Sequence, residues 1–596
     1  MNFPIMIKYC CENALKSAFP EFSMRLLPTD LIDITEATQP QFGHYQCNSA
    51  MKLVKRSDLN LNVKNPRQIA EKLVLAIEEN LQLKTPLFSK IEIAGPGFIN
   101  FTLDTNYLSS VINEQLHDSR LGVTLPNKHL KVVIDYSSVN IAKEMHVGHL
   151  RTTIIGDCLA RVFRFLGHNV LGLNHLGDWG TQFGMLIAYI KTIQPEITEN
   201  APVKATSTEL VQWYKASKQR FDNDAEFKTQ AQQEVVALQS GNPVSLRIWK
   251  EICDISRQAY EEIYKLLDIK IVERGESFYN PHLPDVIAEL EAKKLITISE
   301  GAKCIYLEGF TNREGDELPL IVQKKDGGYN YATTDLAALR HRVQDEKADW
   351  IIYVVDAGQT LHFQMVFAAA KKAEFYNPNK VQVDHVPFGL VLGPDGKKFK
   401  TRSGDTEKLI DLIQGAIQKA KTLLLERHKE NSEEMDMDEA ATILGINAIK
   451  YADLSCHRLG DYVFSYDKML KFEGNTAAFL LYAYVRIQSI QRKVNSDIPQ
   501  LIASGAKIVL EQPEEIALGL LVCQFSEVLD NTIRELLPSR LTDYLYTLAE
   551  KFHLFFHQCR VEGSPQQNSR LLLCKTVSDV MHQGLSLLGL KPLERM

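Results

Sequence analysis

The stretch from Lys131 to Leu173 restricts the fold more than any other part of the chain. Val132-Val133-Ile134 reads as a buried strand, and Leu150, Ile154, Ile155, Leu159, Val162, Phe163 and Leu166 recur near one helical face. Gly167 suits the helix C-cap, and Asn169 to Leu173 reads as the next strand. Strand, helix and strand in so short a span need a crossover between parallel neighbours. The central domain is therefore predicted as a Rossmann-like α/β unit built on a parallel sheet.

Between the first strand and the helix lies DYSSVNIAKEMHVGHL, residues 135–150. It places His146-Val-Gly-His149 among free backbone N–H groups at the positive end of a helix dipole, which favours an anion such as phosphate. Two other readings stand beside it: histidines three apart can ligate zinc, though no third ligand is evident, and histidines also serve as packing groups. A distant loop, Gly393-Pro-Asp-Gly396 followed by Lys397, Lys398, Lys400 and Arg402, also suits a polyphosphate. In isolation, a solvated basic hairpin is the commoner meaning of such a loop. Beyond the second strand, the run Asn174–Gln182 gathers polar groups and glycines at a strand end, where doubly wound sheets bind ligands.

A chain of 596 residues exceeds one core and is expected to hold about three domains. Its net charge of −7 argues against indiscriminate nucleic-acid binding but leaves room for a structured RNA held by local basic patches. The ten cysteines include no CxxC pair, so reduced thiols and no structural metal are expected. The longest apolar runs reach about half of the roughly 20 residues that a spanning helix needs. The N-terminus lacks a signal-peptide pattern, so a soluble cytoplasmic protein with no membrane partner is expected.

Residues 1–125 read as a small α+β domain, with a helix from Asn65-Pro66 burying Ile69, Leu73, Ile77 and Leu81. Strands at Ile91–Ile93 and Phe98–Leu103 flank the turn Gly95-Pro-Gly97. Phe42-Gly-His-Tyr-Gln46 offers rings for stacking on RNA bases, although packed aromatics are the commoner explanation. Residues 126–440 read as the Rossmann-like domain, with a polar helical insertion over about 195–300 that carries no recognisable chemistry and reads as solvated. Strand character returns at Cys304–Leu307 and Leu318–Gln323. A helix beginning at Tyr331 puts that residue and Asp335 on one face, and Trp350–Val355 with the helix His362–Phe375 supplies a second βαβ half. Residues 441–596 read as an all-α bundle, with Phe479, Tyr482, Val485 and Ile487 on one face and Leu545, Leu548, Phe552, Phe555 and Phe556 on another.

His146-Val-Gly-His149 is similar to the HIGH signature of class I aminoacyl-tRNA synthetases, and Phe399-Lys-Thr-Arg-Ser403 stands where their KMSKS loop falls. The strings SSVNIAKEMHVGHLRTTIIGD, NHLGDWGTQFG, YNYATTDLAAL, VVDAGQTLHF, FEGNTAAFLLYAYVRIQ and the closing LLGLKPLERM resemble arginyl-tRNA synthetases, in that family's order. The first 125 residues resemble its N-terminal tRNA-binding domain.

The resemblance implies a monomeric ligase that activates L-arginine with ATP and Mg²⁺ to arginyl-adenylate and pyrophosphate. Arginine then passes to the 2′-hydroxyl of the terminal adenosine of tRNA(Arg), bound partly by an anticodon-binding helical domain. It implies His146, His149, Lys143 and Lys400 as catalytic groups, with Gly148, Gly177 and Asp178 completing the ATP site. For arginine the chemistry itself is informative: a guanidinium is a planar fork of donors without an acceptor, so its pocket wants carboxylate and carbonyl oxygens. Asp335 is the candidate partner for that fork, with Tyr331 beside it. By resemblance Asp135, Asn140 and Gln359 complete the pocket, while Ser137 and His149 hold the α-amino and carboxylate ends. Tyr482, Phe556 and Met596 match anticodon-surface positions, with core packing an equally good reading of each.

Two departures from the family pattern stand out. Arg402 replaces the second lysine of the loop, and Lys143 matches an upstream lysine that compensates in the family. Val139 stands where many relatives have proline. The alternatives are a class I synthetase for another amino acid and a catalytically idle tRNA-binding relative.

Overall fold

The computed structural model describes all residues except 1, 20–30, 57–62, 64, 81–85, 198–201, 313, 398, 400–406 and 429–435. Its centre is a parallel sheet with spatial order Gln382–His385, Trp350–Tyr353, Lys131–Asp135, Asn169–Asn174, Val272–Glu273. The chain enters at Lys131–Asp135, works outward on one side to Val272–Glu273, then returns on the other side through Trp350–Tyr353. Loops leaving the carboxyl ends of Lys131–Asp135 and Trp350–Tyr353 therefore diverge, which opens a crevice at the topological switch point. Val132, Val133, Ile134, Ile351 and Ile352 are fully buried, and burial on both faces explains why these strands read as continuous apolar runs.

The helix Val147–Phe165 covers the sheet and ends as expected. Gly167 adopts φ 93°, and the His168 N–H returns to the Phe163 carbonyl at 3.0 Å, closing a Schellman-type cap. Gly156 lets the helix lie against the buried Tyr136 ring, where a Cβ would come within 2.3 Å of ring carbon.

The segment 195–300 differs from the expectation. The helices Ser207–Asn223, Ala225–Gln239 and Pro243–Leu266 are there, but Val272–Glu273 joins the parallel sheet as an edge strand paired with Leu173–Asn174. A two-residue strand is too short to leave a periodic signal, so a piece of the core was hidden in a polar stretch. A separate antiparallel sheet, Glu317–Gln323, Ala302–Thr311, Thr297–Ser299, follows it. Its Ile305 and Val322 pack with Leu336 of the helix Tyr331–Gln344.

The N-terminal unit is a four-stranded antiparallel sheet carrying the helices Phe3–Ala18 and Pro66–Asn80. Ile69, Leu73 and Ile77 are buried as the spacing requires, and Leu81 lies outside the described residues. Tyr45 is wholly buried and donates its hydroxyl to Glu527 at 2.8 Å, so this ring packs in the core.

After Met437 the chain is helical apart from Tyr462–Val463, a short strand that pairs with Val391–Leu392. Leu545, Leu548, Phe552 and Phe555 are buried, whereas Phe556 is 38% exposed. Among the described residues no single helix is long and apolar enough to cross a membrane.

Candidate active site at the sheet switch point

The loop between the central strand and the histidine helix is backbone-strained. Ser137, Ser138 and Ala142 have φ of 72°, 47° and 59°, conformations that side-chain-bearing residues rarely adopt. Bonds to the Asn174–Asp178 stretch hold the loop: Gly177 donates to the Val139 carbonyl at 3.0 Å, and Ile141 donates to the Gly177 carbonyl at 3.2 Å. A Cβ on Gly177 would lie 2.4 Å from Asn140 Oδ1, so glycine lets that side chain keep its place. Val139 points its N–H at Asn174 Oδ1, 3.4 Å away, a donor that proline lacks.

His146 and His149 form a reciprocal cap. Gly148 N–H donates to His146 Nδ1 at 3.0 Å, and His146 N–H donates to His149 Nδ1 at 3.1 Å. Each Nδ1 is thus an acceptor, which leaves the proton of each ring on Nε2 as a donor. The rings stand 4.0 Å apart, and burial, the neighbouring His146 and Lys143 push the His149 pKa down to about 3. His149 is a neutral N–H donor over the whole physiological range. Gly148 makes this fold-back fit, since a Cβ would sit 2.9 Å from the His146 ring.

The two histidines open onto a cavity of about 500 Å³. Asp135, Ser137, Asn140, Gly148, Gly177, Tyr331, Asp335 and Gln359 also line it, so most of the expected site residues meet in one place. One end is acidic. Asp335 Oδ2 lies 2.6 Å from His362 Nε2, and the Tyr331 ring lies 4.8 Å from the His362 ring. Glu276, which the sequence did not suggest, stands in the same wall. Burial, then the charges of Asp335 and Asp178, push its pKa up to about 8. The one signal for it was Val272-Glu-Arg-Gly-Glu276, an edge strand running into a glycine at its carboxyl end.

Several of the expected site residues are already paired within the protein or stand outside the cavity wall. Asp135 lines the cavity, but its Oδ2 is 2.7 Å from the fully buried Arg342 guanidinium and its Oδ1 accepts from Ser138 at 3.0 Å. It anchors Arg342 at the cavity wall. Asp135→Asn is expected to cost about 3–5 kcal/mol of stability, because it leaves a buried guanidinium without its counter-charge. Urea unfolding measures this directly, and an unchanged midpoint would refute the anchoring role.

Asp178 is not in the cavity wall; both carboxylate oxygens bond Ser277, at 2.8 Å to N–H and 2.6 Å to the hydroxyl. It ties the Glu276 turn to the sheet. The Ser137 hydroxyl is engaged by Tyr264 at 2.6 Å and Thr153 at 2.9 Å. Lys143 is exposed and outside the wall, its Nζ 5.4 Å from the Tyr214 ring centre. Lys400 and Arg402 lie outside the described residues.

A second cavity, about 530 Å³, lies in the helical domain and brings Tyr482 and Phe556 together. The Arg486 guanidinium lies 4.7 Å from the centre of each ring and donates to the Tyr482 hydroxyl at 2.6 Å. Met596 is not in its wall and packs, partly buried, against the core.

Three family matches cover most of the chain. Residues 7–103 match the arginyl tRNA synthetase N terminal domain, 110–466 the class I (R) tRNA synthetase catalytic domain, and 480–596 the DALR anticodon binding domain. The chain belongs to the arginyl-tRNA synthetase family. It is 57% identical over 585 residues to an arginine–tRNA ligase of Protochlamydia amoebophila, covering 98% of each chain. It is 51% identical to an arginine–tRNA ligase of Chlamydia abortus, again over 98% of both. The crystal structure of the Plasmodium falciparum arginyl-tRNA synthetase superposes with a TM-score of 0.86 at 34% identity, covering 100% of each chain.

Proposed function

We propose that the chain joins L-arginine to tRNA(Arg) in two steps through this cavity, using ATP with its Mg²⁺. The observation that carries the reading is the make-up of one cavity wall, which holds the Asp335 and Glu276 carboxylates together with two histidine Nε2–H donors. The acidic end, Asp335 and Glu276 with Tyr331, Asn140 and Gln359, suits a guanidinium fork. The histidine end suits the phosphates of ATP, with Gly148 and Gly177 keeping the floor low.

Between the two ends the arginine carboxylate attacks the α-phosphorus in line, forming the acyl-phosphate bond while the α–β bridging bond breaks and pyrophosphate leaves. His146 and His149 donate to the oxygens on which negative charge grows. In the second step the 2′-hydroxyl of the terminal adenosine attacks the acyl carbon, and AMP leaves. One chain supplies both ends of the cavity, which supports a monomer. All ten cysteines are free, as suits a reducing cytoplasm.

In the helical domain, Tyr482 and Phe556 offer ring faces, with Arg486 between them, for anticodon bases. Met596 would meet tRNA only at the rim.

An idle relative is disfavoured by the intact donor geometry of the histidines. A synthetase for a neutral amino acid is disfavoured because its substrate brings no positive charge to the Asp335 and Glu276 carboxylates. ATP–pyrophosphate exchange with arginine and tRNA(Arg) tests the reading; folded protein without arginine-dependent exchange contradicts it.

The reading also fixes a pH dependence. Glu276 is protonated in the empty cavity below about 8, and a bound guanidinium favours its carboxylate. Arginine binding therefore releases a proton, and affinity rises as pH is raised towards 8. Calorimetry in two buffers of different ionisation enthalpy reads the release, which Glu276→Gln abolishes. Identical heats in both buffers would count against this assignment.

A further inference from the structure

Arg151 stands two residues beyond His149 on the histidine helix, lines the cavity and is fully buried. Its donors all leave the catalytic sheet. Nε lies 3.1 Å from the buried Asp453 carboxylate, Nη1 donates to the Gly460 carbonyl at 3.1 Å, and Nη2 donates to the Arg458 carbonyl at 3.4 Å. The Tyr462 and Phe388 rings lie 5.3 and 5.7 Å from the guanidinium.

The backbone acceptors belong to the segment that holds the strand Val391–Leu392, which also contributes to the cavity wall. Gly389 N–H also donates to the Arg458 carbonyl, at 2.8 Å, and Tyr462 pairs with Val391. The Val391 carbonyl accepts from Phe399 N–H at 3.2 Å, and Phe399 is again in the cavity wall. The Arg458 side chain pins the same segment to the Pro387 and Leu536 carbonyls, at 2.8 and 3.1 Å. A short chain of bonds thus runs from the His149 turn, through one guanidinium, to the strand leading to Phe399.

A buried ion pair is seldom more stabilising than apolar packing of equal size. What a guanidinium adds is a rigid fork with fixed bond directions, which a lysine cannot reproduce. We infer that Arg151 is a positioning residue: with Asp453 and the 458–460 carbonyls it sets the spacing between the histidine turn and the Val391–Leu392 strand to which Phe399 bonds, and so the alignment of ATP for attack. Arginine binding is made by Asp335, Glu276 and their neighbours on other elements, so Arg151 acts on turnover and not on arginine affinity. The inference rests on the ligase reading above.

The test compares Arg151→Met, Arg151→Lys and the isosteric Asp453→Asn with the unaltered full chain in arginine-dependent pyrophosphate exchange with tRNA(Arg). Cooperative thermal melts establish folding. The expected result is a kcat at least ~10-fold lower for Arg151→Met and Asp453→Asn, with KM for arginine within about two-fold. Arg151→Lys keeps the charge but not the fork and falls between. If Arg151→Met does not fold, Asp453→Asn decides, since it removes the charge without changing shape. Folded variants with unaltered kcat, or a loss carried wholly by KM for arginine, overturn the inference alone. Absence of exchange in the unaltered protein overturns the ligase reading and this inference together.

Discussion

Replacing His149 by alanine is expected to lower the kcat of arginine-dependent pyrophosphate exchange by about 10²-fold, the scale for losing one preorganised transition-state donor. The tautomer makes His149 such a donor. His149 Nδ1 is occupied by the His146 N–H, so the ring presents Nε2–H, and a pKa pushed down to about 3 keeps it neutral. The donor costs no protonation step at any physiological pH, so the acid limb of the rate profile does not come from this ring. Alanine also removes the cap on His146, so a small loss of thermal stability accompanies the loss of rate. A variant that loses stability but keeps near-normal turnover would reduce His149 to a helix cap.

Asp335→Asn is expected to reduce kcat/KM for arginine by roughly two orders of magnitude, the equivalent of about 3 kcal/mol for a charged pair losing one partner in a desolvated pocket. Asp335 lies in the cavity wall one turn from Tyr331 and already lies within 2.6 Å of His362, so its position does not depend on substrate. The KM for ATP stays within about two-fold, since the phosphates meet the histidines at the other end. Steady-state kinetics with each substrate varied separate the two effects. Unchanged arginine kinetics would remove Asp335 from the pocket and leave Glu276 as the carboxylate that grips the fork.

The legible parts of this fold and site are those whose cause is local in the chain. The strand Lys131–Asp135, the helix Val147–Phe165 and its Gly167 cap follow from periodicity and one glycine. Tyr331 and Asp335 share a cavity wall because they are one helical turn apart, a relation visible in the residue numbers. The residues whose partners the sequence did not show are those whose neighbours come from far away. Asp135 is claimed by Arg342, 207 positions on; Asp178 by Ser277, 99 positions on; Lys143 faces Tyr214, from helices that read as solvated. Glu276 escaped for the opposite reason: the strand that aims it has two residues, and its wall is assembled by an element from another part of the sheet. Motif spacing located the cavity. It did not show which of its polar groups were already paired within the protein.

The most direct test of the central claim, that one cavity joins a guanidinium end to a phosphate end, is a tRNA charging assay with each standard amino acid in turn. Purified full-length protein, ATP, Mg²⁺ and tRNA(Arg) are incubated with one labelled amino acid at a time. The account predicts acid-precipitable label with arginine alone, and its loss on replacing Asp335 by asparagine. Charging with any neutral amino acid, or none at all from folded protein, would contradict it.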